Sequence, residues 1–382
     1  MTDSSFTIPR HRLFIPGPVE VDETVLAEMG RPVAAHYGRE WTALYKETTS
    51  RMKAVFRTEG DVFLLVASGS GGLEAAVASL FAPGERVIVG VNGFFGERLA
   101  TIARMRGLAV VEVIAPWGKA ISVDAVRDAL RGNWPVAGLL VNHHETSTGV
   151  LNPIEALGGL AGEFDIPYVV DAISSLGGEV LAMDDWGIDI CISASQKCLE
   201  APPGLAPVAV SRRAWEIMER KGEFPAGWYL NLRIWRKYAQ EWGEWHPFPV
   251  TLPTNVVLAF RAALDRLLAE GLEAHMSRYR EAALFVRAGL RKLGFDLYVD
   301  GEIASTTLTA VRRLPSMDVS DLIAYLLEEH GIRVAGGLGA TRGEVFRIGH
   351  MGKAAHPGVA GLVLDALEAY LADRSRRSPH GP

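Results

Sequence analysis

Short apolar runs alternate with amphipathic segments over residues 60–210. The apolar runs at 61–67, 86–91, 109–114 and 137–142 are bounded by turn residues, which is the pattern of buried strands. Segments with helical periodicity lie between several of them. Strands that alternate with helices favour a mainly parallel sheet with helices on both of its faces. The sequence therefore predicts an α/β fold for this region.

The pattern changes towards the carboxyl end of the chain. Two helices are predicted over 255–270 and 272–293, and short strands and helices alternate over 305–371, which is typical of a small α+β domain. A chain of 382 residues also exceeds what one hydrophobic core usually organises. We therefore predict an N-terminal arm over 1–20, a large domain over 21–270, a small C-terminal domain over 271–373 and a disordered tail over 374–382.

Composition and charge narrow the class of protein. Hydrophobic residues make up 48% of the chain, and the net charge of −6 gives no basic footprint for nucleic acid. Residues 1–12 carry no apolar signal segment, and no apolar stretch reaches the ~18 residues of a membrane span. No cluster of His, Cys and carboxylate residues has the spacing of a metal site. We expect a cytoplasmic protein that binds neither nucleic acid nor membrane and holds no metal.

Two predicted strands lead into residues with distinctive chemistry. One apolar run ends at Asp171, and a second, beginning at Ile188, leads to Lys197. The carboxyl ends of neighbouring parallel strands face the same crevice. A lysine amine can form a Schiff base with a carbonyl cofactor, and an aspartate can keep a pyridine ring protonated as an electron sink. The pair points to pyridoxal phosphate, although a capping aspartate and a solvated lysine would give the same pattern.

Two further strand ends carry features that suit such a cofactor. The glycine-rich stretch 68–72 separates a strand from a helix, where backbone N–H groups and the helix dipole would face a phosphate. The stretch matches neither a dinucleotide fingerprint nor a P-loop. Phe95 follows the next strand in a stretch bounded by two glycines, where its ring is well placed to lie on a planar ligand.

Three other features concern interfaces and charge. The stretch 226–253 is irregular and rich in tryptophan, tyrosine and proline, so we expect it to reach a partner subunit. Arg347 lies between apolar neighbours in a predicted strand over 344–348. Because successive side chains of a strand point to opposite faces of the sheet, this pattern alone predicts that the Arg347 side chain points to water. His144 follows a predicted strand, but without a partner carboxylate at fixed spacing it is predicted to be structural.

The motifs at these strand ends occur together in an order that resembles one known family. The chain is similar, from about residue 13 to residue 371, to the fold-type I, class V aminotransferases that use pyridoxal phosphate, and within them to the alanine–glyoxylate and serine–glyoxylate (serine–pyruvate) group. The motifs that carry the resemblance are Pro16-Gly-Pro18, Ser68-Gly-Ser-Gly71, Asn92-Gly-Phe-Phe-Gly96, Glu145-Thr-Ser-Thr-Gly149, Asp171-Ala-Ile-Ser-Ser175, Ser195-Gln-Lys197 and Arg347-Ile-Gly349.

The resemblance implies a role for each matching position. Lys197 would carry the cofactor as a Schiff base, and Asp171 would pair with the ring nitrogen. The other implied cofactor contacts are Ser70, Gly71 and Gln196 at the phosphate, Phe95 and Ile173 on the two faces of the ring, and Ser147 or Thr148 at its polar edge. Arg347 would bind the substrate carboxylate, with Gly17 also at the substrate site.

The same resemblance implies a homodimer. Thr251 matches a position from which the neighbouring subunit completes the phosphate site. The tyrosine that the family would place three residues earlier is Phe248 in this chain. This departure puts the contact across the subunit boundary in question.

The resemblance implies transfer of an amino group from alanine or serine to glyoxylate or pyruvate. Aspartate or an aminophosphonate is the alternative substrate, and a dicarboxylate would need a second cation besides Arg347. The candidates for that cation are Arg39, Arg98 and Arg342.

Two other functions remain as alternatives. A class V lyase such as a cysteine desulfurase would need a nucleophilic cysteine on a mobile loop, and neither Cys191 nor Cys198 is so placed. A non-catalytic binding protein would not need both Asp171 and Lys197. The sequence therefore favours a transaminase.

Overall fold

The computed structural model describes residues 11–377 except residues 223, 225 and 300. The helices are α1 (Glu23–Met29), α2 (Arg39–Phe56), α3 (Gly69–Leu80), α4 (Phe94–Met105), α5 (Val123–Gly132), α6 (Ile154–Glu163), α7 (Arg212–Lys221), α8 (Leu232–Glu241), α9 (Thr254–Glu270), α10 (Leu272–Lys292), α11 (Val319–His330) and α12 (Pro357–Arg377). The strands are β1 (Arg12–Phe14), β2 (Asp61–Val66), β3 (Arg86–Val91), β4 (Ala109–Ile114), β5 (Gly138–Asn142), β6 (His144–Glu145), β7 (Val150–Leu151), β8 (Tyr168–Asp171), β9 (Ile190–Ile192), β10 (Leu205–Val210), β11 (Leu308–Arg312), β12 (Ile332–Gly336) and β13 (Val345–Gly349).

The large sheet has the order β2-β10-β9-β8-β5-β3-β4 among the described strands. Strands β3, β4, β5, β8 and β9 pair in parallel, which confirms the predicted mainly parallel α/β fold. Strand β10 was not predicted, and it runs antiparallel to both β2 and β9. No helix separates β9 from β10. Parallel neighbours need a crossover connection, usually a helix, so this direct return reverses the strand direction.

The register of the large sheet brings polar residues together at one edge. Asn142 at the end of β5 lies opposite Asp171 at the end of β8, and Asp171 lies opposite Ile192 at the end of β9. The chain then continues directly from β9 to Lys197. The two residues singled out as a pair in the sequence therefore share the carboxyl edge of adjacent strands.

The smaller sheet belongs to the C-terminal part of the chain and has the order β1-β12-β13-β11. Strand β1 comes from the predicted N-terminal arm and pairs in parallel with β12. Its Phe14 is buried in the core of this smaller domain. The arm is therefore partly a strand of the small domain, while residues 1–10 lie outside the described residues.

Two hydrophobic cores stabilise the chain. The larger one draws its buried residues from positions 25–267 and packs around the seven-stranded sheet. The second combines Phe14 with buried residues from positions 286–370. Each of the two larger sheets thus has its own core. Among the described helices, none has the length and apolar character needed to cross a bilayer.

Two segments differ from their sequence predictions. The tail was expected to be disordered from residue 374, but α12 continues to Arg377, and Arg374 donates to Tyr370 Oη (2.9 Å) and to the carbonyl of Ser316 (2.6 Å). The correction covers 374–377, since 378–382 lie outside the described residues. The aromatic stretch 226–253 also contains α8, which places Trp235 fully in the core. Burial of an apolar helix face outweighed the irregular pattern of prolines and aromatics.

Candidate active site

A cavity of about 280 Å³ lies at the carboxyl edge of the large sheet. Six residues selected from the sequence line it together: Ser70, Phe95, Asp171, Ile173, Gln196 and Lys197. They come from α3, α4 and the segments that follow β8 and β9. The parallel sheet explains why residues so distant in sequence meet, because its strands end at the same edge.

The start of α3 forms one wall of the cavity. The helix begins at Gly69, inside the glycine-rich stretch rather than after it as predicted. Ser68 makes no side-chain cap, and the first turn has no acidic residue. A Cβ atom on Gly69 would lie 2.5 Å from Ile173 Cδ1, so only glycine lets the helix approach this close. The positive end of the helix dipole and its N–H groups therefore face a site suited to an anion.

Asp171 is buried in the wall of the cavity. Its Oδ1 accepts a hydrogen bond from the backbone N–H of Ile173 (2.9 Å), and its Oδ2 accepts one from Asn142 Nδ2 (3.3 Å). Burial raises the pKa of Asp171 to about 7. A cationic group placed against this carboxylate would restore its charge, because an opposite charge favours the ionised form.

Lys197 lies in the same cavity and is held by the segment that follows β1. Its amine donates to the carbonyl of Pro16. Gly17 has a φ of +93°, and a Cβ atom there would lie 2.5 Å from Lys197 Cδ. The structure therefore places Gly17 against the lysine side chain, where no side chain fits. Burial lowers the pKa of Lys197 to about 8, so part of the amine is neutral at physiological pH.

The structure does not bring Ser147 or Thr148 into the cavity. Ser147 Oγ donates to Glu145 (2.5 Å) and accepts from the N–H of Phe94 (3.1 Å), while Thr148 Oγ1 donates to the carbonyl of Glu145 (3.3 Å). These hydroxyls hold the turn against the start of α4. Thr146, one residue earlier, lines the cavity instead. The predicted contact of Ser147 or Thr148 with the polar edge of a ring has no counterpart in this geometry.

Arg347 is buried, and the expectation that it points to water is wrong. Its Nε donates to the carbonyl of Gly336 (2.9 Å), and its Nη1 donates to the carbonyl of Thr146 (3.1 Å). Strand β13 lies between β12 and β11, so both of its edges are paired, and the Arg347 side chain packs against the large domain. Burial lowers the pKa of Arg347 to about 10. Arg347 does not itself line the cavity but contacts Thr146, which does.

The remaining predicted positions lie farther from the cavity. Gly71 lies on α3 between the lining residues Ser70 and Leu73 but does not itself line the cavity, and Thr251 is exposed on this chain. Phe248 is fully buried, with its ring 5.0 Å from Tyr45 and 4.5 Å from His246. An apolar core position explains why a phenylalanine is accommodated there.

Several lining residues were not assigned a role from the sequence. They are Leu73, Asn142, Thr146 and Ser174. His144, which was predicted to be structural, and Arg98, a candidate for the second cation, also line the cavity. Asn142 could have been selected from the sequence, because it is the last residue of the predicted strand 137–142 and such strand ends face the crevice. Arg98 lies with its guanidinium carbon 4.9 Å from the centre of the Phe95 ring.

The cavity carries polar atoms that lack partners among the described residues. These are Asn142 Oδ1, His144 Nε2 and Gln196 Oε1. Buried polar groups are normally hydrogen-bonded, so unpaired ones in a cavity indicate a ligand. A helix N-terminus for an anion, an aromatic side chain, a buried aspartate and a partly neutral lysine fit pyridoxal phosphate. No cluster of three or more metal-ligating side chains occurs in the described part of the chain.

Residues 23–355 match the sequence model of the class-V aminotransferases. The chain belongs to this family. An uncharacterized aminotransferase of Methanocaldococcus jannaschii is 37% identical over 340 residues, which cover 89% of this chain and 87% of that protein. The alanine–glyoxylate aminotransferase of Callithrix jacchus is 34% identical over 371 residues, or 96% of this chain and 88% of that protein. The crystal structure of alanine–glyoxylate aminotransferase from Nostoc sp. superposes with a TM-score of 0.93 at 34% identity, covering 97% of this chain and 98% of that one.

These similarities confirm the resemblance that the motifs suggested. The chain is a class-V aminotransferase with the fold of the fold-type I enzymes, and it is similar to the alanine–glyoxylate group. Members of this family depend on pyridoxal phosphate, which agrees with the chemistry of the cavity.

Proposed function

We propose that this aminotransferase uses pyridoxal phosphate to transfer an amino group from alanine or serine to glyoxylate or pyruvate. The observation that carries the proposal is the meeting of Asp171, Lys197 and the N-terminus of α3 in one cavity. The similarity to alanine–glyoxylate aminotransferases supports the choice of small substrates.

The cofactor would be held by residues that surround the cavity. Ser70 and Gly71 at the start of α3, with Gln196, would bind its phosphate. Phe95 and Ile173 would enclose the ring, and the Asp171 carboxylate would face the ring nitrogen. When bound, the cofactor supplies an electron sink for the bonds at the substrate Cα atom.

The chain itself supplies a base and a carboxylate site. A Lys197 amine with a pKa of about 8 can bind a carbonyl and can move a proton at the substrate Cα atom. The planar guanidinium of Arg347 can bind the substrate carboxylate through two parallel hydrogen bonds, after exchange of its bond to Thr146. Gly17 packs directly against Lys197, where any side chain would clash with the lysine.

We further propose a homodimer in which Thr251 completes the phosphate site of the neighbouring subunit. Trp228, Trp242 and Trp245 in the aromatic stretch are about half exposed on the single chain, as is typical of aromatic residues that become buried in an interface. A cytoplasmic location stays a prediction.

The dimer is tested by mixing two variants that are each inactive or weakened, Lys197→Ala and Thr251→Ala. A heterodimer of Lys197→Ala and Thr251→Ala subunits has one site with both changes and one intact site. Activity should therefore return on mixing. Proven subunit exchange without any gain in activity would contradict a shared site.

The substrate proposal is tested by a panel of amino donors against glyoxylate, pyruvate and 2-oxoglutarate. Alanine or serine with glyoxylate or pyruvate should give the highest kcat/KM. A preference for aspartate or an aminophosphonate with 2-oxoglutarate would replace this substrate assignment by the alternative.

One observation favours aspartate as a second candidate substrate. Arg98 lines the cavity, and within the described residues it forms no ion pair. Its guanidinium, which lies over the Phe95 ring, could bind a second carboxylate. Arg39 and Arg342, the other candidates, are exposed and do not line the cavity. Aspartate activity should then fall selectively in Arg98→Met, with alanine activity retained.

The lyase alternative receives no nucleophile from this structure. Cys191 and Cys198 are the only cysteines of the chain, and both are fully buried. Burial raises the pKa of each thiol well above its ordinary value. Because the thiolate is the reactive form, neither cysteine suits a desulfurase.

A further inference from the structure

His144 lies in the wall of the active-site cavity and has one ring nitrogen without a partner. Its side chain is 3% exposed, and it follows the end of β5 directly on β6. Nδ1 lies 3.2 Å from the carbonyl of Ser174 and 3.1 Å from Thr307 Oγ1. Nε2 is buried and has no hydrogen-bond partner among the described residues. The sequence-based assignment of a structural role therefore accounts for only one of the two nitrogens.

The environment of Nδ1 fixes the tautomer of this histidine. A carbonyl oxygen only accepts hydrogen bonds, so the contact with Ser174 favours the tautomer in which Nδ1 carries the proton. Thr307 Oγ1 can itself donate to the same carbonyl (3.3 Å), which leaves its lone pairs free to accept. Burial lowers the pKa of His144 to about 4, so the ring is neutral at physiological pH. Nε2 is then an unprotonated acceptor, and its ligand must supply a donor.

The position of His144 indicates which ligand group meets Nε2. Lys197 lines the same cavity and, under the proposed function, moves a proton at the substrate Cα atom. Thr146, two residues beyond His144, accepts a hydrogen bond from Arg347, which takes the carboxylate. His144 thus lines the cavity that contains Lys197, two residues before the one whose carbonyl Arg347 binds. A small amino donor would present its Cα atom and the substituent of its Cβ atom there.

We propose that His144 Nε2 accepts a hydrogen bond from a hydroxyl on the Cβ atom of the amino donor, so that the site favours serine over alanine. This inference rests on the proposed function and narrows its substrate. The methyl group of alanine would leave Nε2 buried and unpaired, whereas the serine hydroxyl supplies the missing donor. Sites built to bind a hydroxyl discriminate against analogues that lack it for this reason.

The test compares two unreactive ligands that differ only in the hydroxyl. L-Glycerate and L-lactate lack the amino group, so their affinities for the cofactor-loaded enzyme can be measured by isothermal titration calorimetry without turnover. A neutral hydrogen bond predicts that glycerate binds about two- to tenfold more tightly than lactate. The ratio of kcat/KM for serine and alanine should shift in the same direction.

Two variants separate the acceptor from the structural bond. In His144→Asn the amide nitrogen can replace Nδ1 towards Ser174, but no acceptor reaches the place of Nε2. In His144→Gln the amide oxygen can reach that place. We expect His144→Asn to bind the two ligands with equal affinity at unchanged lactate affinity, and His144→Gln to keep part of the preference for glycerate. Both should retain the cofactor absorbance and the unfolding transition of the parent.

Equal affinity of the parent for glycerate and lactate would overturn the proposal. So would an unchanged preference for glycerate in His144→Asn. Failure of the proposed function looks different, because neither ligand would then bind the parent. Arg347→Ala provides the matching control, since loss of the carboxylate site should weaken both ligands by the same factor and leave their ratio unchanged.

Discussion

Two clusters of charged side chains flank the segment from Lys197 to Glu200, and they differ in how completely their groups are paired. On one side lies the cavity with Asp171 and Lys197. On the other side Glu270 accepts from Arg278 Nε (2.7 Å) and lies 2.8 Å from His275 Nδ1. Arg278 also donates to Glu200 (3.1 Å), and we call Glu200, Glu270, His275 and Arg278 the paired cluster.

The pairing determines the direction of the pKa shifts in each cluster. In the paired cluster, hydrogen bonds from His275 and then Arg278 lower the pKa of Glu270, which keeps the carboxylate charged. In the cavity, burial raises the pKa of Asp171 to about 7 and lowers that of Lys197 to about 8, which disfavours both charges. A ligand bound in the cavity can supply charged or polar partners to Asp171 and Lys197. The groups of the paired cluster already have theirs. Charge alone therefore does not mark an active site, whereas unpaired charge does.

The largest expected effect on the reaction is that of Asp171→Asn. An uncharged amide cannot hold the ring nitrogen protonated, so the charge that develops in the transition state loses its stabilisation and kcat should fall about 10²- to 10³-fold. Bound cofactor, measured by its absorbance, should remain. Asp189→Asn is the matched control, because Asp189 is equally buried but bonds Arg213 (2.6 Å) away from the cavity. If both variants lost the same activity, the special role of Asp171 would be refuted.

Arg347→Ala should have the next largest effect. A bidentate charged contact contributes about 1.5–3 kcal/mol, so kcat/KM should fall about ten- to more than a hundredfold. The loss should be similar for every amino donor and 2-oxo acid, because all present the same carboxylate, and Arg347→Lys should restore only part. Release of the cofactor, or a kcat/KM within about threefold of the parent for both alanine and glyoxylate, would make Arg347 a structural residue.

Cofactor uptake by the cofactor-free protein should depend on pH through Lys197. Only a neutral amine attacks a carbonyl, and a lowered pKa means that this form increases as the pH rises through about 8. The uptake rate should therefore rise about tenfold from pH 7 to pH 9 and then level off. Reaction of the cofactor with N-acetyl-lysine, measured in parallel, should continue to rise above pH 9. A protein profile that followed this control would place the pKa of Lys197 at its ordinary value.

Replacement of Arg278 should have the smallest effect on the reaction. Arg278→Met removes the shared donor of the paired cluster, which should lower the free energy of unfolding by about 1.5–3 kcal/mol. The kcat of the folded enzyme should stay within about twofold of the parent, since no member of the cluster lines the cavity. Urea unfolding and steady-state kinetics on the same preparation separate the two quantities. A large loss of kcat without a loss of stability would show that the paired cluster acts on Lys197.

Much of the large domain could be predicted from the sequence because its signals are local. Strands β3 and β4 have the predicted bounds, and Asp171 and Lys197 follow from the rule that parallel strands end at one edge. The antiparallel direction of β10 could not be predicted, because it depends on the short connection from β9 rather than on the apolar pattern of β10 itself.

The buried position of Arg347 could not be predicted from strand alternation. Alternation describes a sheet with one face in water, whereas this face of β13 packs against Thr146 of the other domain. The roles of Ser147 and Thr148 likewise depend on Glu145, whose carboxylate accepts from their turn and from the start of α4. The contact between Glu145 and Gly96 at the start of α4 joins segments 49 residues apart, so a local pattern carries no information about it.

The central claim is that Lys197 is the residue that binds the cofactor carbonyl. Borohydride reduction of the protein loaded with pyridoxal phosphate, followed by peptide mapping, tests it directly because reduction makes that bond permanent. We predict a single labelled peptide containing Lys197, and loss of the label in Lys197→Ala. Labelling of a different lysine, or no labelling of a protein saturated with the cofactor, would contradict the account.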